Sequence, residues 1–340
     1  MLRWRLLLGA LFIAALVGLL VADYRLAASS ALPPGSILVV LALGLAIVAG
    51  DEALRLLDQP AWSATALVVH AGNLALVAIS FSCAIDPDVG SQAGFTTAAL
   101  ASDAPAGTFE VGPAGTLAVA PEGALTAAPT AGLAGPSGIA LGLALVVAAL
   151  FTVEIVRYQR PGVVPRLAAN VLAVSYVGLL LAVLVQLRLV HGNGWGLVAL
   201  VSLVTVVKMG DTGAYTVGRL FGRHKMAPAL SPGKTIEGGI GGLVFGCLGA
   251  WLAVAWMPLW LGLSDAQPAW WRWIAYGLLV AVAGVLGDLA ESLLKREAGQ
   301  KDSSTWMPGF GGVLDMLDSA LIAAPVAYLC WLLGLVGPGP

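Results

Sequence analysis

The sequence predicts an all-α fold, a polytopic transmembrane helical bundle of about nine helices, and three observations lead to this prediction. Hydrophobic residues make up 59% of the 340 residues and charged residues only 11%, about half the charged fraction of a typical soluble domain. Apolar stretches near the ~20 residues that a helix needs to cross a bilayer recur along the chain. Lys and Arg are distributed unevenly among the segments between these stretches. The composition therefore argues against a water-soluble fold.

Nine apolar stretches are predicted to cross the membrane as helices, each assigned on its length and composition. In chain order they are residues 6–22, 32–49, 64–81, 138–156, 167–187, 195–207, 236–256, 270–286 and 319–335. The sixth stretch is short for a complete crossing, and the second has few residues to spare.

The distribution of Lys and Arg predicts the orientation of the bundle, because cytoplasmic loops carry an excess of these residues. With the N-terminus in the cytoplasm, all but three of the 17 basic residues fall in inside segments. The three exceptions are Arg25, Arg188 and Arg272. The N-terminus and both long polar segments after residue 207 are therefore expected to face the cytoplasm.

The chain divides into four regions by composition. Residues 1–85 hold the N-terminal transmembrane helices, and residues 138–207 hold the central ones. Between them, residues 86–137 are rich in Ala, Gly, Thr and Pro and lack Lys and Arg, which predicts an external, poorly ordered insertion. Residues 208–340 combine the last helices with cytoplasmic polar segments and are expected to carry the catalysis. The first helix is interpreted as uncleaved, although its basic start also resembles a signal peptide.

Charge and cysteine content exclude several classes of function. The net charge of −2 is too close to neutral to indicate a nucleic-acid partner, and no basic run suggests one. The three cysteines, Cys83, Cys247 and Cys330, lie far apart in apolar surroundings without Cys-x-x-Cys spacing. They indicate neither a disulfide framework nor a zinc site.

The first polar segment, residues 208–239, combines glycines with basic side chains. Glycines allow close approach of the backbone, and Arg219 and Lys234 supply positive charge suited to phosphate oxygens. The segment therefore predicts a phosphate-binding surface, and the alternative is an ordinary basic loop that anchors two helices. The Gly-Lys-Thr run at 233–235 is not a P-loop, because Pro228 stands where the first glycine is required and no strand is expected before the run.

The second polar segment, residues 287–319, holds six of the 19 acidic residues. Asp288 and Glu291 share one helical face, and Asp315 and Asp318 share another through i, i+3 spacing. Carboxylates beside a bilayer are costly, about 2.5 to 3.5 kcal/mol for a midplane Asp on insertion scales, so they usually face a cavity and serve a function. Several around one cavity suit Mg²⁺, which prefers oxygen ligands. For the second pair, the alternative is a helix cap stabilised by the helix dipole.

Both polar segments carry a resemblance to a known family. Ser292-Leu-Leu-Lys-Arg, followed after four residues by Lys301-Asp302 and then by Pro308-Gly-Phe-Gly-Gly-Val-Leu-Asp-Met-Leu-Asp, resembles the C-terminal signature of phosphatidate cytidylyltransferases, also called CDP-diacylglycerol synthases. The upstream runs Asp211-Thr-Gly-Ala-Tyr and Ser231-Pro-Gly-Lys-Thr resemble a second block of that family. The resemblance covers roughly residues 200–335.

Two positions depart from the family pattern. Phe310 stands where the family usually has His, and Met316 stands where it usually has Arg. These changes remove a phosphate donor and a positive charge, while all the signature carboxylates remain.

The resemblance implies a nucleotidyltransferase that joins CTP and phosphatidate into CDP-diacylglycerol and diphosphate, at the cytoplasmic face of the inner cell membrane. It implies Mg²⁺ held by Asp288, Asp315 and Asp318, with Lys301 as a further catalytic residue and K⁺ as an optional second cation. The expected partners are CTP, phosphatidate and membrane lipids, with a homodimer as an option and no nucleic acid. Substrate contacts are expected from Asp211, Arg219, Ser231, Lys234, Thr235, Glu237, Ser292, Lys295, Arg296 and Asp302.

Other functions stay open from the sequence. A CTP-dependent kinase of a polyprenol or phytol-type lipid would need similar metal and phosphate groups. A cation-coupled transporter would carry intramembrane acids along an ion path, although the acids here cluster at one edge beside basic residues. A degenerate scaffold is a further alternative, motivated by Phe310 and Met316.

Overall fold

A computed structural model describes residues 2–60, 63–85, 136–158, 162–264, 268–304 and 311–338 of the chain. Residues 86–135 of the predicted insertion lie outside the described residues, as does Phe310 of the family signature.

Within the described residues the chain forms nine long helices, which confirms the all-α, polytopic prediction. Eight of them, α2 to α9, are long and apolar enough to cross a membrane, and α1 covers the remaining predicted stretch. The chain is therefore a membrane protein. The helices are α1 (Leu2–Ser29), α2 (Ser36–Leu56), α3 (Ala64–Ile85), α4 (Pro136–Val156), α5 (Val163–Leu189), α6 (Gly192–Phe221), α7 (Ile236–Trp260), α8 (Trp270–Glu297) and α9 (Val313–Leu332).

Helices α6 and α8 run furthest past the ends that the apolar pattern predicts. Helix α6 continues to Phe221 and α8 continues to Glu297, whereas the predicted spans end at residues 207 and 286. Helix α6 stops at Gly222, which is its C-cap, and Gly299 takes a left-handed φ of 65° just after α8. The polar residues are thus helical extensions of membrane helices, and the glycines that follow the two apolar stretches, Gly210 and Gly287, stay inside the helices.

A short antiparallel hairpin connects α6 to α7, which the helical prediction did not anticipate. Its strands are β1 (Lys225–Ala227) and β2 (Ser231–Thr235), and Lys225 pairs with Thr235. The expectation that no strand precedes the Gly-Lys-Thr run is therefore wrong. The run itself lies on β2 and leads straight into α7, where the Thr235 hydroxyl caps the helix by accepting from the Gly238 amide at 3.1 Å. A P-loop has its glycines in a turn between strand and helix, so that exclusion stands.

Helices α6 and α7 touch backbone to backbone through glycines. A Cβ atom on Gly213 would lie 2.6 Å from the Gly241 carbonyl oxygen, and one on Gly238 would lie 2.8 Å from the Ala214 carbonyl oxygen. Small residues allow this approach in membrane helix pairs. These glycines therefore bring two helices together, and their close approach to a phosphate stays a prediction.

The apolar side chains form two clusters. One joins α2, α3, α4 and α5, and the other joins α6, α7 and α8 with the end of α5. Helix α9 contributes to both: Leu314 and Leu321 pack in the first cluster, and Ala323 and Trp331 pack in the second. The helix that carries two of the predicted catalytic acids therefore bridges the two halves of the described structure.

Candidate active site

A cavity of about 660 Å³, lined by charged side chains as well as apolar ones, opens between α6, α7, α8, α9 and the hairpin. It brings together nine of the residues predicted from sequence, drawn from both polar segments. These are Asp211, Arg219, Ser231, Lys234, Thr235, Asp288, Lys295, Asp315 and Asp318.

Two of the lining carboxylates lie on neighbouring helices. Asp288 lies on α8 and Asp318 lies one turn into α9. Gly287 allows the two helices to meet beside them, because a Cβ atom there would lie 2.6 Å from the Asp318 carbonyl oxygen. The two acids are close enough to interact electrostatically. Like charges at short range repel, so the pair favours a cation between them.

Lysines surround this pair. Lys234, on β2, places its Nζ 2.6 Å from Asp288 Oδ2, although within the described residues that ammonium makes no hydrogen bond in good geometry. Lys208 on α6 lies 3.4 Å from Asp211 Oδ2 and also interacts electrostatically with Asp318. The arrangement places positive charge beside open carboxylates, which suits a metal and an anionic substrate together.

A second charged group borders the cavity. Lys295 Nζ lies 2.7 Å from both Glu291 Oε2 and Asp315 Oδ1. The Glu291 side chain is fully buried. Lys295 therefore pairs with two protein carboxylates, and this partnership differs from the phosphate contact expected from sequence.

Asp315 is held tightly at the start of α9. Its Oδ2 accepts hydrogen bonds from the Gly312 amide at 2.7 Å and from the amide and hydroxyl of Ser303 at 2.9 and 2.8 Å. With Lys295 on Oδ1, both oxygens have partners. An acid that bonds the backbone of its own N-cap is typical of a capping box, so the helix-cap alternative describes this residue well.

Five predicted site residues lie outside the described lining of the cavity. Glu237 instead holds the turn between α6 and β1: its carboxylate accepts from the Arg223 amide at 3.0 Å and lies 2.6 Å from His224 Nδ1. Arg296 donates to the Leu230 carbonyl at 3.1 Å and thereby ties the hairpin to α8. The others are Ser292, which is buried in α8, and Lys301 and Asp302, which are exposed on the loop after α8.

The structure adds residues that the sequence did not single out. Tyr215 lines the cavity, and its hydroxyl accepts from Arg219 at 2.7 Å. Glu52, from the distant helix α2, contacts the first turn of α9. An acid inside an apolar stretch is the signal that could have drawn attention to Glu52.

The donor set is compatible with a divalent metal. In the described part of the chain, no group of three or more His, Cys, Asp or Glu side chains is arranged to hold a metal ion. Mg²⁺ is nevertheless commonly held by one or two carboxylates, with substrate phosphates and water as its other ligands. Asp288 and Asp318 fit that requirement, while the grouping of all three acids stays a prediction.

Comparison with known proteins decides the family. The model of the cytidylyltransferase family matches residues 116–333, more than half of the chain. The chain belongs to the cytidylyltransferase family.

The chain is also similar to individual curated cytidylyltransferases. It is 36% identical over 156 residues to a phosphatidate cytidylyltransferase of Staphylococcus saprophyticus, covering 46% of this chain and 55% of that protein. It is 42% identical over 135 residues to the phosphatidate cytidylyltransferase of Haemophilus influenzae, covering 40% and 46%. The protein of that name from Synechocystis is 40% identical over 137 residues, covering 39% and 43%. The chain spans about half the length of the curated relatives it matches.

Proposed function

We propose that this cytidylyltransferase is a phosphatidate cytidylyltransferase, which converts CTP and phosphatidate into CDP-diacylglycerol and diphosphate. The observation that carries the proposal is the pairing of Asp288 and Asp318 beside Lys234 in one cavity of a membrane helix bundle. A site for two anionic reactants, one of them a lipid, needs carboxylates for a metal, a basic side chain and a location in the membrane. The names of the relatives point to the same reaction.

The side chains divide the work by charge. Lys208, Lys234 and Arg219 would bind the triphosphate and the lipid phosphate, since ammonium and guanidinium groups suit phosphate oxygens. Asp288 and Asp318 would hold Mg²⁺, which when bound neutralises triphosphate charge. Asp315 is assigned with them from the sequence signature, and its contacts to Lys295 and Ser303 support a role in fixing the start of α9.

The reaction needs no covalent intermediate on the protein. An oxygen of the phosphatidate phosphate would attack the α-phosphorus of CTP in line, and the bond to the β-phosphate oxygen would break. That phosphate is already an anion, so no side chain must remove a proton from it. The protein would position the two anions and screen their repulsion. A second cation such as K⁺ would add to this screening.

The location follows from the distribution of basic residues. The cavity lies at the ends of α6 and α8 that carry Lys208, Arg219, Lys295 and Arg296. Such residues are typical of cytoplasmic ends, so we place the site at the cytoplasmic face of the inner membrane. Phosphatidate would then enter from the lipid and CTP from the cytoplasm. A homodimer stays a prediction, which the mass of the purified protein in detergent would test.

Position-specific labelling of CTP separates this function from a lipid kinase. Purified protein in lipid nanodiscs is given phosphatidate, Mg²⁺ and CTP labelled at either the α- or the γ-phosphate. We expect the α-label in lipid and the γ-label in released diphosphate. Transfer of the γ-label to a polyprenol or phytol-type lipid would favour the kinase, and no transfer of either label across varied lipids would contradict both. Asp288→Asn is the control for background reaction.

A further inference from the structure

Glu52 is a buried acid that connects two helices far apart in the chain, α2 and α9. It lies on α2 with only 3% of its surface exposed. Its Oε1 accepts from the Val313 amide at 3.1 Å, and its Oε2 accepts from the Leu314 amide at 2.8 Å. These amides belong to the first turn of α9, which has no intrahelical acceptors for its N–H groups. A carboxylate there also opposes the positive end of the helix dipole.

The same carboxylate reaches the loop before α9. The Ser303 hydroxyl lies 3.3 Å from Glu52 Oε2 and 2.8 Å from Asp315 Oδ2. Ser303 is therefore shared between an acid of α2 and an acid of α9. The three residues form a connected group that fixes the loop after α8 and the start of α9 against α2.

The sequence leaves space for this contact at Gly312, the N-cap of α9. A Cβ atom there would lie 2.5 Å from each oxygen of Glu52 and would overlap the Ser303 hydroxyl. Real Cβ atoms do not approach other atoms so closely, so any side chain at 312 must displace the Glu52 carboxylate. A glycine is needed at this position because Glu52 occupies the space.

The contact lies one helical turn from the chemistry. Leu314 and Asp318 are four residues apart, about 6 Å along the helix axis. Holding the Val313 and Leu314 amides therefore sets the axial position and rotation of Asp318 relative to Asp288. Glu52 itself lies outside residues 116–333, which match the family.

We propose that Glu52 is a positioning residue: it caps α9 from another helix and so aligns the carboxylate pair of Asp288 and Asp318. This inference rests on the proposed function for its kinetic test. Because a misplacement near 1 Å can cost about 100-fold in rate, the cap should affect turnover more than binding. The lysines that would bind the triphosphate lie on α6 and β2, whereas the hydrogen bonds of Glu52 to described residues go to α9 and to Ser303.

The kinetic test uses Glu52→Gln, which keeps the shape but replaces one acceptor oxygen with an NH₂ group that faces a backbone N–H. We expect kcat to fall about 10- to 100-fold while the KM for CTP stays within about threefold. Glu52→Asp keeps the charge and should recover part of the loss. Asp51→Asn is the matched control, because Asp51 is the next residue and its salt bridge among the described residues is to Arg55 of its own helix, at 2.6 Å.

A second measurement does not depend on activity. Amide hydrogen exchange of the protein in nanodiscs, read on peptides that cover residues 311–318, should be about 10-fold faster or more in Glu52→Gln than in the parent and Asp51→Asn proteins. Gly312→Ala should give the same acceleration by displacing the carboxylate. If the parent protein shows no turnover, the proposed function fails while this measurement still tests the cap.

Several results would overturn the proposal. Glu52→Gln with parental kcat would remove Glu52 from positioning, and unchanged exchange at residues 311–318 would remove the cap. An equal fall of kcat in Asp51→Asn would assign the effect to α2 in general. If Glu52→Gln fails to accumulate in the membrane, the same kinetic and exchange measurements are made on Gly312→Ala, with the same expected results.

Discussion

Two groups of charged residues in this protein are built from the same kinds of side chain and differ in how completely they are paired. In the first, Asp23 of α1 and Arg188 of α5 are 2% and 0% exposed. Asp23 accepts from the amides of Gly35 and Ile37 at 3.0 and 2.9 Å and from Arg188 Nε at 3.0 Å. Arg188 also donates to Asn193 Oδ1 at 2.7 Å. Every side of this group is occupied by protein.

The second group, in the cavity, is open. Asp288 pairs with Lys234 alone among the described residues, and 36% of its side chain is exposed. The difference shows how to distinguish charged groups that stabilise the fold from charged groups that bind a ligand. When protein groups already bond all the charged atoms, no ligand can bind there. A charged group with free atoms beside a cavity can bind a cation and an anionic substrate.

Breaking the fully paired group of Asp23 and Arg188 should give the largest effect, and this effect should be a loss of stability. Arg188→Met removes the partner of a buried carboxylate, so we expect a loss of about 3–5 kcal/mol in the free energy of unfolding. Thermal unfolding in detergent, compared with the exposed Arg55→Met, measures it. The fraction that remains folded should keep its KM for CTP. A drop in kcat with unchanged stability would show that this group belongs to the chemistry.

Breaking the open group should act on turnover instead. Asp288→Asn and Asp318→Asn should each lower kcat by about 100- to 1,000-fold, the scale for loss of one preorganised electrostatic group. Their unfolding temperatures should stay close to that of the parent protein, since neither carboxylate is fully paired by protein. Titration of Mg²⁺ should show a lower apparent affinity of the variants for the metal. A large stability loss with retained turnover would reverse the assignment.

Separating the two acids without removing either should sharpen the comparison. Gly287→Ala places a Cβ atom 2.6 Å from the Asp318 carbonyl oxygen, so α8 and α9 must move apart. Overpacking of this kind costs about 1–3 kcal/mol, and we expect kcat to fall about 10-fold or more. Gly284→Ala is the control, because its nearest neighbour, a methyl of Val207, would be at an ordinary 3.5 Å. Equal kcat in both variants would contradict the prediction.

The smallest effect is expected at the rim of the cavity. Lys208 and Asp211 form an exposed pair on one helix, and such pairs contribute about 0–1 kcal/mol to stability. Lys208→Ala should therefore leave unfolding nearly unchanged while raising the KM for CTP about 3- to 10-fold through the lost phosphate contact. High salt should reduce the difference between variant and parent. An unchanged KM would exclude Lys208 from substrate binding.

The apolar pattern predicted the helices well and their polar ends poorly. Each of the nine predicted stretches is mostly helical in the described residues, because apolar runs of that length have few alternatives in a bilayer. The ends of α6 and α8 were missed, since a helix that leaves the bilayer can continue in polar sequence. The hairpin was missed because its strands of three and five residues are too short to leave a pattern.

The site was predicted in chemistry but only partly in detail. Acids and lysines near the membrane edge identified the cavity residues, whereas pairing depends on distances that spacing does not give. Glu237 and Arg296 fold the hairpin instead of lining the cavity. Glu52 is separated from Leu314 by 262 positions, so no local pattern connects them.

The bridging position of α9 has a consequence for the order of assembly. During synthesis α2 enters the membrane long before α9. Until α9 is made, the Glu52 carboxylate lacks the Val313 and Leu314 amides that it later caps. An acid without these partners is costly in the membrane. Chains that stop before α9 would lack Asp318 and also keep α2 loosely held. The contact that aligns the carboxylate pair would thus also distinguish finished chains from unfinished ones.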